Sequence, residues 1–166
     1  MSFVGRSSSR RVELLRPLTK HGLVVWGNRW SKKPVVDDVD YQPSVREKDN
    51  VIGEQLNTLY NGADVVLNVL QREAFSQQNT MLSLQVFAVP AAGVCLLTEW
   101  VDELEEAFDI GSEILAFKTA DELVELALKY STDTQLAKNI GMAGRKRCLA
   151  DHTHQQRAKT ILEQIR

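Results

Sequence analysis

The chain has 166 residues, the usual size of one domain and enough to bury a core without disulfides or metal. Hydrophobic residues make up 43% of it and charged residues 25%, and a formal net charge of -2 provides no basic field to attract nucleic acid phosphates. No apolar run approaches the ~20 residues of a membrane helix, and the N-terminus lacks the pattern of a signal peptide. We therefore expect a single cytoplasmic domain, residues 1–166, with no nucleic acid partner and no membrane span.

Short apolar runs recur along the chain, and each is followed by a segment with helical spacing, as in a βαβ protein. The first unit comprises a strand at Ser2–Val4, a turn at Gly5, a helix over Ser9–His21 and a strand at Leu23–Trp26. Pro17 conflicts with this helix, because a proline inside a helix usually kinks it. Residues 28–50 are polar and irregular, which indicates a long surface loop.

The alternation of strands and helices continues through the second half. The predicted elements are a strand at Asp64–Leu70, a helix over Thr80–Ala92, a strand at Val94–Thr98, a helix over Val101–Phe108 and a strand at Ile114–Phe117. Thr119 with Glu122, and Thr153 with Gln156, form capping-box patterns ahead of C-terminal helices. The sequence therefore predicts the α/β class, with a doubly wound parallel sheet and C-terminal helices.

Two polar loops follow predicted strands, where an open parallel sheet binds ligands and helix N-termini present unpaired N–H groups. The Gly5–Ser9 loop combines a glycine turn with Arg6 and three hydroxyl groups, including that of Ser7, which suits a diphosphate. It lacks a complete GxGxxG pattern or a P-loop lysine, so a capped helix start is an alternative. The Ser76–Thr80 run, which includes Gln78 and Asn79, opens the next helix, although polar loops also precede helices without binding a ligand.

Other routes to catalysis have little support in the sequence. His152 and His154 are two residues apart, a spacing that suits neither one helical face nor a zinc motif, so surface or capping roles are expected. Cys95 and Cys148 have no metal or redox spacing and are expected to be buried. The acidic cluster at residues 102–106 predicts a solvated helix face. We expect no metal and no covalent cofactor, and no catalytic residue is assigned.

Three blocks in order give the chain a family resemblance: LYNGADVVLNVL from Leu59, VFAVPAAGVCLLTEW from Val86, and GMAGRKRCLADHTHQQRAKTIL from Gly141. Together with the opening SFVG, they resemble the C-terminal domain of the CgeB-like, spore-maturation-type glycosyltransferases. This resemblance implies one half of a GT-B fold, in which two Rossmann-like domains face each other and the C-terminal one binds a nucleotide-diphosphate sugar. The chain would then begin where the N-terminal domain ends.

The resemblance also suggests positions for the donor site. The family's glycine turn falls on Gly5, its aromatic and asparagine markers on Tyr60 and Asn68, its small-residue turn on Pro90 and Gly93, and its closing block on His152, Thr153, His154 and Arg157. The donor helix differs, because the family reads Asn-x-Arg-Val-Phe-Glu where this chain has Ser83, Leu84, Gln85, Val86, Phe87 and Ala88. The family's glutamate holds the ribose hydroxyls, and alanine cannot. The resemblance and the two polar loops together give these candidate donor-binding residues: Gly5, Arg6, Ser7, Tyr60, Asn68, Gln78, Asn79, Thr80, Ser83 and Gln85.

The leading hypothesis is a donor-binding domain that binds a nucleotide-diphosphate sugar weakly and transfers the sugar only if an N-terminal domain completes it. One alternative is a non-catalytic Rossmann-like module that has lost its donor residues, and another is a different nucleotide-binding α/β protein. For association we expect either the missing domain or a homodimer. Trp26, Trp30 and Phe75 lie in or beside the predicted ligand-binding loops. If exposed together they would mark the dimer face, and the alternative is that all three pack in the core.

Overall fold

The computed structural model describes residues 1–30, 51–71 and 82–165 and the backbone of residues 44–46. Its strands are β1 (Ser2–Val4), β2 (Val24–Trp26), β3 (Ser44–Arg46), β4 (Val65–Asn68), β5 (Cys95–Glu99) and β6 (Leu115–Phe117). They form one parallel sheet in the order β3-β2-β1-β4-β5-β6. This is the strand order of a doubly wound nucleotide-binding fold, and it confirms the predicted fold class.

The helices lie on both faces of the sheet. They are α1 (Ser9–Leu15), α2 (Gly53–Asn61), α3 (Gln85–Ala91), α4 (Leu104–Ala107), α5 (Ala120–Thr132), α6 (Thr134–Asp151) and α7 (His154–Gln164), with a 3₁₀ helix at Arg16–His21. Within the ranges described, no helix is both long enough and apolar enough to cross a bilayer.

Two apolar layers cover the sheet, because the side chains of each strand alternate between its faces. On one face, Val65 and Leu67 of β4 belong to a buried cluster that also includes residues of α1 and α5. On the other face, Val66 packs in a second cluster with residues of α2, α3 and α4. Both clusters include central strand residues that are fully buried, so the core is divided by the sheet.

Several predicted boundaries were wrong, each for a local reason. The helix predicted over Ser9–His21 is α-helical only to Leu15, because Pro17 lacks an N–H and lies in the first turn of a 3₁₀ helix instead. That 3₁₀ helix ends at Gly22, whose φ of 75° is left-handed. The loop predicted over residues 28–50 contains the edge strand β3, which pairs with β2 through backbone bonds that a three-residue run does not reveal in sequence.

Two predicted helices are shorter in the structure. The helix predicted over Thr80–Ala92 begins at Gln85, and Leu82 and Ser83 precede it without helical structure. The hydroxyl of Ser83 instead accepts a hydrogen bond from the amide of Asn68 at the end of β4. The helix predicted over Val101–Phe108 is reduced to the four residues of α4.

The predicted caps of the C-terminal helices are present. The hydroxyl of Thr119 accepts a hydrogen bond from the N–H of Glu122. The carboxylate of Glu122 accepts from the backbone N–H of Lys118 rather than from that of Thr119. Thr153 and Gln156 form both bonds of the capping box that begins α7. Gly93 follows α3 with a φ of 83°, as expected for a helix terminator.

Helix α6 connects the two apolar layers below the amino end of β5. Ala137 and Ile140 belong to the cluster on one face, and Cys148 belongs to the cluster on the other. Between them Gly141 lies directly against the backbone that leads into β5. A methyl group there would lie 2.8 Å from the carbonyl carbon of Val94, and closer still to the carbonyl oxygen of Gly93. This crossing therefore requires a residue without a side chain.

We predict that Gly141→Ala lowers the free energy of unfolding by about 1–3 kcal/mol, because the added methyl group forces α6 away from β5. The measurement is urea denaturation followed by circular dichroism. At an exposed helix position the same substitution would raise the free energy of unfolding by roughly 0.5–1 kcal/mol, because alanine has the higher helix propensity. The change expected at Gly141 therefore has the opposite sign. The control is Lys138→Ala, on the exposed side of α6, which should leave the free energy of unfolding nearly unchanged. An unchanged or higher free energy of unfolding for Gly141→Ala would contradict the close packing.

Candidate functional site

The carboxyl ends of β1 and β4 form the candidate site. These strands are neighbours, but the chain continues from β1 towards β2 and β3, and from β4 towards β5 and β6. The loops that follow them therefore leave in opposite directions and open a crevice, the usual ligand position in an open parallel sheet.

The loop after β1 is bound mainly to the turn after β2. The N–H groups of Gly5 and Ser7 donate to the carbonyls of Trp26 and Asn28 at 2.8 and 3.1 Å. The Ser7 hydroxyl donates to the carbonyl of Arg29 at 2.7 Å. Of the three residues predicted here to hold a diphosphate, Gly5 and Ser7 thus use these donors within the protein, and Arg6 is exposed.

Trp30 secures the same contact between the two turns. It is only 6% exposed, its ring packs edge-on against Phe3 with centroids 5.6 Å apart, and its indole N–H donates to the carbonyl of Gly5 at 2.8 Å. Trp30 therefore follows the alternative in which these aromatics pack in the core, because its ring is buried and its N–H has a partner. Trp26 is half-buried, and Phe75 lies outside the described residues.

Arg11, which the sequence reasoning did not select, reaches from α1 into the crevice. Its Nε and Nη2 donate to the carbonyl of Val69 at 2.9 and 2.7 Å, and its Nη1 donates to the carbonyl of Arg6 at 2.9 Å. The guanidinium also lies 5.3 Å from the centroid of the Phe3 ring. Burial, and then the charge of Arg10, lower the pKa of Arg11. Nothing in the described part of the chain places a carboxylate in direct contact with it.

Arg10 extends to the same end of the sheet but has an acidic partner. Its Nη2 and Nη1 lie 2.5 and 3.0 Å from the two carboxylate oxygens of Glu99 at the end of β5. The Glu99 oxygen bound by Nη1 also accepts from the N–H of Leu70 at 3.1 Å. The sequence gives little sign of this cluster of Arg10, Arg11 and Glu99. The two arginines are adjacent, but Glu99 ends an apolar strand and belongs to no motif.

Four of the predicted donor residues come together in two hydrogen-bonded groups. The amide of Asn68 donates to the hydroxyls of Ser83 and Thr98, both at 2.9 Å. The amide of Gln85 donates to the carbonyl of Val4 at 2.9 Å. Burial raises the pKa of Tyr60, and a hydrogen bond with Gln85 opposes that rise.

These groups join α2 and α3 to the ends of β1, β4 and β5, so their polar atoms largely serve the framework of the site. Gln78, Asn79 and Thr80 lie outside the described residues.

Ala88 lies three residues after Gln85 on α3 and packs against the second apolar cluster. It is half-buried. Helical side chains lean towards the helix N-terminus, so a longer side chain at this position would extend towards the carboxyl ends of the strands. A glutamate at this position would extend in that direction, but alanine presents only a methyl group.

Two open pockets flank the loop after β1. One, of about 230 Å³, is lined by the turns at residues 4–6 and 26–28 and by Val51. The other, of about 210 Å³, shares Trp26 and Val51 and continues against α2 at Gln55, Thr58 and Leu59. Its walls are mainly apolar, whereas the first pocket is also lined by Arg6 and Asn28.

The remaining nucleophiles and acids lie elsewhere. Burial raises the pKa of Cys95 to about 12 and that of Cys148 to about 11, so neither thiol ionises near neutral pH. The ring of His152 packs against Phe87 and Phe108, and its Nε2 lies 2.8 Å from the carbonyl oxygen of Ala107. Within the described ranges, no three histidine, cysteine or acidic residues are grouped as metal ligands.

The family model described as glycosyl transferase-like matches residues 10–163. The chain belongs to this glycosyl transferase-like family. The match covers Arg10, Arg11 and the strands from β2 to β6, but it begins after β1 and the loop that follows β1. The sequence matches no curated protein.

Two solved structures share the fold of this glycosyl transferase-like chain. Sucrose-phosphate synthase from Thermosynechococcus elongatus superposes with a TM-score of 0.73 at 16% identity, over 99% of this chain and 45% of that one. TarM superposes with a TM-score of 0.68 at 11% identity, over 98% of this chain and 34% of that one. The fold is thus that of one half of a GT-B glycosyltransferase, and the chain spans less than half the length of either structure.

Proposed function

We propose that this chain is the donor-binding half of a CgeB-like glycosyltransferase. It binds a nucleotide-diphosphate sugar at the carboxyl ends of β1 and β4, and it transfers the sugar only when a second domain completes the site. The proposal rests mainly on Arg11, a half-buried cation at the switch point of the sheet that has carbonyls rather than a carboxylate as its described partners.

Arg11 is suited to hold the diphosphate. Its hydrogen bonds to the carbonyls of Val69 and Arg6 use three of its five N–H groups, which leaves two with no partner among the described residues. The lowered pKa shows that its surroundings disfavour the charge, so a nearby anion would stabilise it. Charge-assisted bonds from guanidinium to phosphate are among the stronger hydrogen bonds in proteins.

The pocket beside Trp26 is suited to the nucleobase. It adjoins the pocket at the Gly5 turn, so a ligand with its phosphates near Arg11 could extend its base towards α2. Apolar walls from Trp26, Val51 and Leu59 would cover the faces of a planar ring, and Gln55 and Thr58 offer polar groups to its edge.

The ribose would be held poorly, because Ala88 cannot accept its hydrogen bonds. Leaving such hydroxyls without a protein partner costs on the order of 1–3 kcal/mol, so binding would be weak. The acceptor would need a facing domain, since positioning two substrates together supplies a large share of the barrier reduction. Stabilisation of the leaving diphosphate by Arg11 would be the contribution of this half.

One observation favours the alternative of a non-catalytic Rossmann-like module. The Gly5 and Ser7 N–H groups, which a phosphate loop would direct at its ligand, are already bonded to the turn after β2. If the folded chain binds no nucleotide, the result would support a non-catalytic module over a donor-binding domain.

The first test is calorimetry with uridine and other nucleoside diphosphates. We expect weak binding by the wild-type chain and a loss of roughly tenfold or more for Arg11→Gln, since a charged hydrogen-bond donor to phosphate is removed. Arg11→Lys, which keeps the charge, should fall between them. Lys138→Gln removes an exposed charge on α6 and serves as the control; equal binding by all four chains would argue against Arg11 as the phosphate ligand.

The second test restores the acceptor for the ribose. We predict that Ala88→Glu increases affinity for a nucleoside diphosphate by about tenfold or more, as expected for a recovered charged hydrogen bond. Ala88→Gln is the matched control for side-chain size and should gain less. Measuring the same gain in affinity with the 2′-deoxynucleotide shows whether it involves the ribose. An equal gain for both nucleotides would mean that the new carboxylate does not contact the 2′-hydroxyl.

The third test concerns transfer itself. The isolated chain is predicted to transfer no sugar to added acceptors, because half of the site cannot hold donor and acceptor together. The assay is product detection by mass spectrometry with several nucleotide-diphosphate sugars. Turnover at ordinary enzyme rates would show that this chain alone forms a complete site.

A further inference from the structure

The carboxylate of Glu99 occupies a group of three N–H donors at the carboxyl end of the sheet. Two come from the guanidinium of Arg10, at 2.5 and 3.0 Å, and the third is the backbone N–H of Leu70 at 3.1 Å. The side chain of Glu99 is 1% exposed, whereas that of Arg10 is 13% exposed. Both side chains are thus largely buried, and Arg10 is the more exposed of the two.

This donor set is one that binds phosphoryl oxygens. A planar guanidinium offers two parallel N–H groups that match an oxyanion, and a backbone N–H adds a fixed third donor. Leu70 follows β4 directly, so the donors lie at the same crevice as Arg11. In this structure the carboxylate of Glu99 is the anion that accepts from these donors.

We propose that Arg10 and the N–H of Leu70 form an anion-binding site for a phosphoryl group, which Glu99 fills from within the chain. Glu99 thereby keeps the affinity of the crevice for phosphorylated ligands low. This inference goes beyond the donor-binding function: it concerns Arg10 rather than Arg11, and it requires neither a sugar nor a nucleoside.

The electrostatics of the crevice agree with this assignment. Arg10 and Arg11 are adjacent, and the charge of Arg10 disfavours that of Arg11, while Glu99 acts in the opposite direction. Removing the Glu99 charge would leave two neighbouring cations with less compensation. A multivalent anion is the ligand that such a pair would attract most strongly.

The experiment is calorimetry of the full chain with inorganic pyrophosphate. We compare the wild-type chain, Glu99→Gln, and the double variant Glu99→Gln with Arg10→Gln. Glu99→Gln keeps the shape of the side chain but removes its charge, and it should bind pyrophosphate about tenfold more tightly than the wild type, with a steeper dependence on salt. The double variant should return to the wild-type affinity.

Two results would overturn the proposal: no gain in Glu99→Gln while its circular dichroism matches the wild type, or a gain that persists in the double variant. If Glu99→Gln is poorly folded, pyrophosphate should restore its thermal unfolding transition, because a ligand that binds only the folded state stabilises it. Failure of that rescue also contradicts the proposal. Absence of nucleotide binding by the wild-type chain would count against the donor-binding function and leave this result unaffected.

Discussion

The hydrogen bonds from the first turn of α1 to the segment after β4 hold the candidate site in shape. Arg10 and Arg11 cross the point where the two halves of the sheet diverge, and they bond to the carbonyls of Val69 and Leu70. Asn68, whose amide bonds to Ser83 and Thr98, directly precedes Val69 at the end of β4. The cationic groups of the crevice are thus part of its scaffold, so a substitution there affects structure and recognition together.

Much of the fold was predictable, because burial on both faces of a parallel sheet leaves continuous apolar runs such as those of β4 and β5. The helix caps at Thr119 and Thr153 and the glycine terminators were also predictable, since each depends on residues close in sequence. The features that were not predicted depend on contacts between residues far apart in sequence. Strand β3 is defined by its pairing with β2, and the start of α3 is displaced by the bond between Ser83 and Asn68.

The candidate site was predicted less well than the fold, for the same physical reason. The sequence identified Gly5 and Ser7 as groups facing a ligand, but the two turns use much of their hydrogen-bonding capacity on each other. A side chain at Gly27 would collide with the carbonyl of Gly5, which shows how closely these turns approach. Conversely, Arg11 and Glu99 carry no local signature, and only the sheet topology brings them to one edge.

The crossing of α6 beneath β5 has a consequence for how the chain folds during synthesis. Strand β5 leaves the ribosome well before Gly141, so its amino end stays uncovered until the C-terminal helices emerge. The sheet can begin to assemble from the N-terminal side, but α6, which contributes to both apolar layers, emerges late. Partly synthesised chains therefore expose apolar surface, a state in which folding intermediates aggregate and chaperones bind.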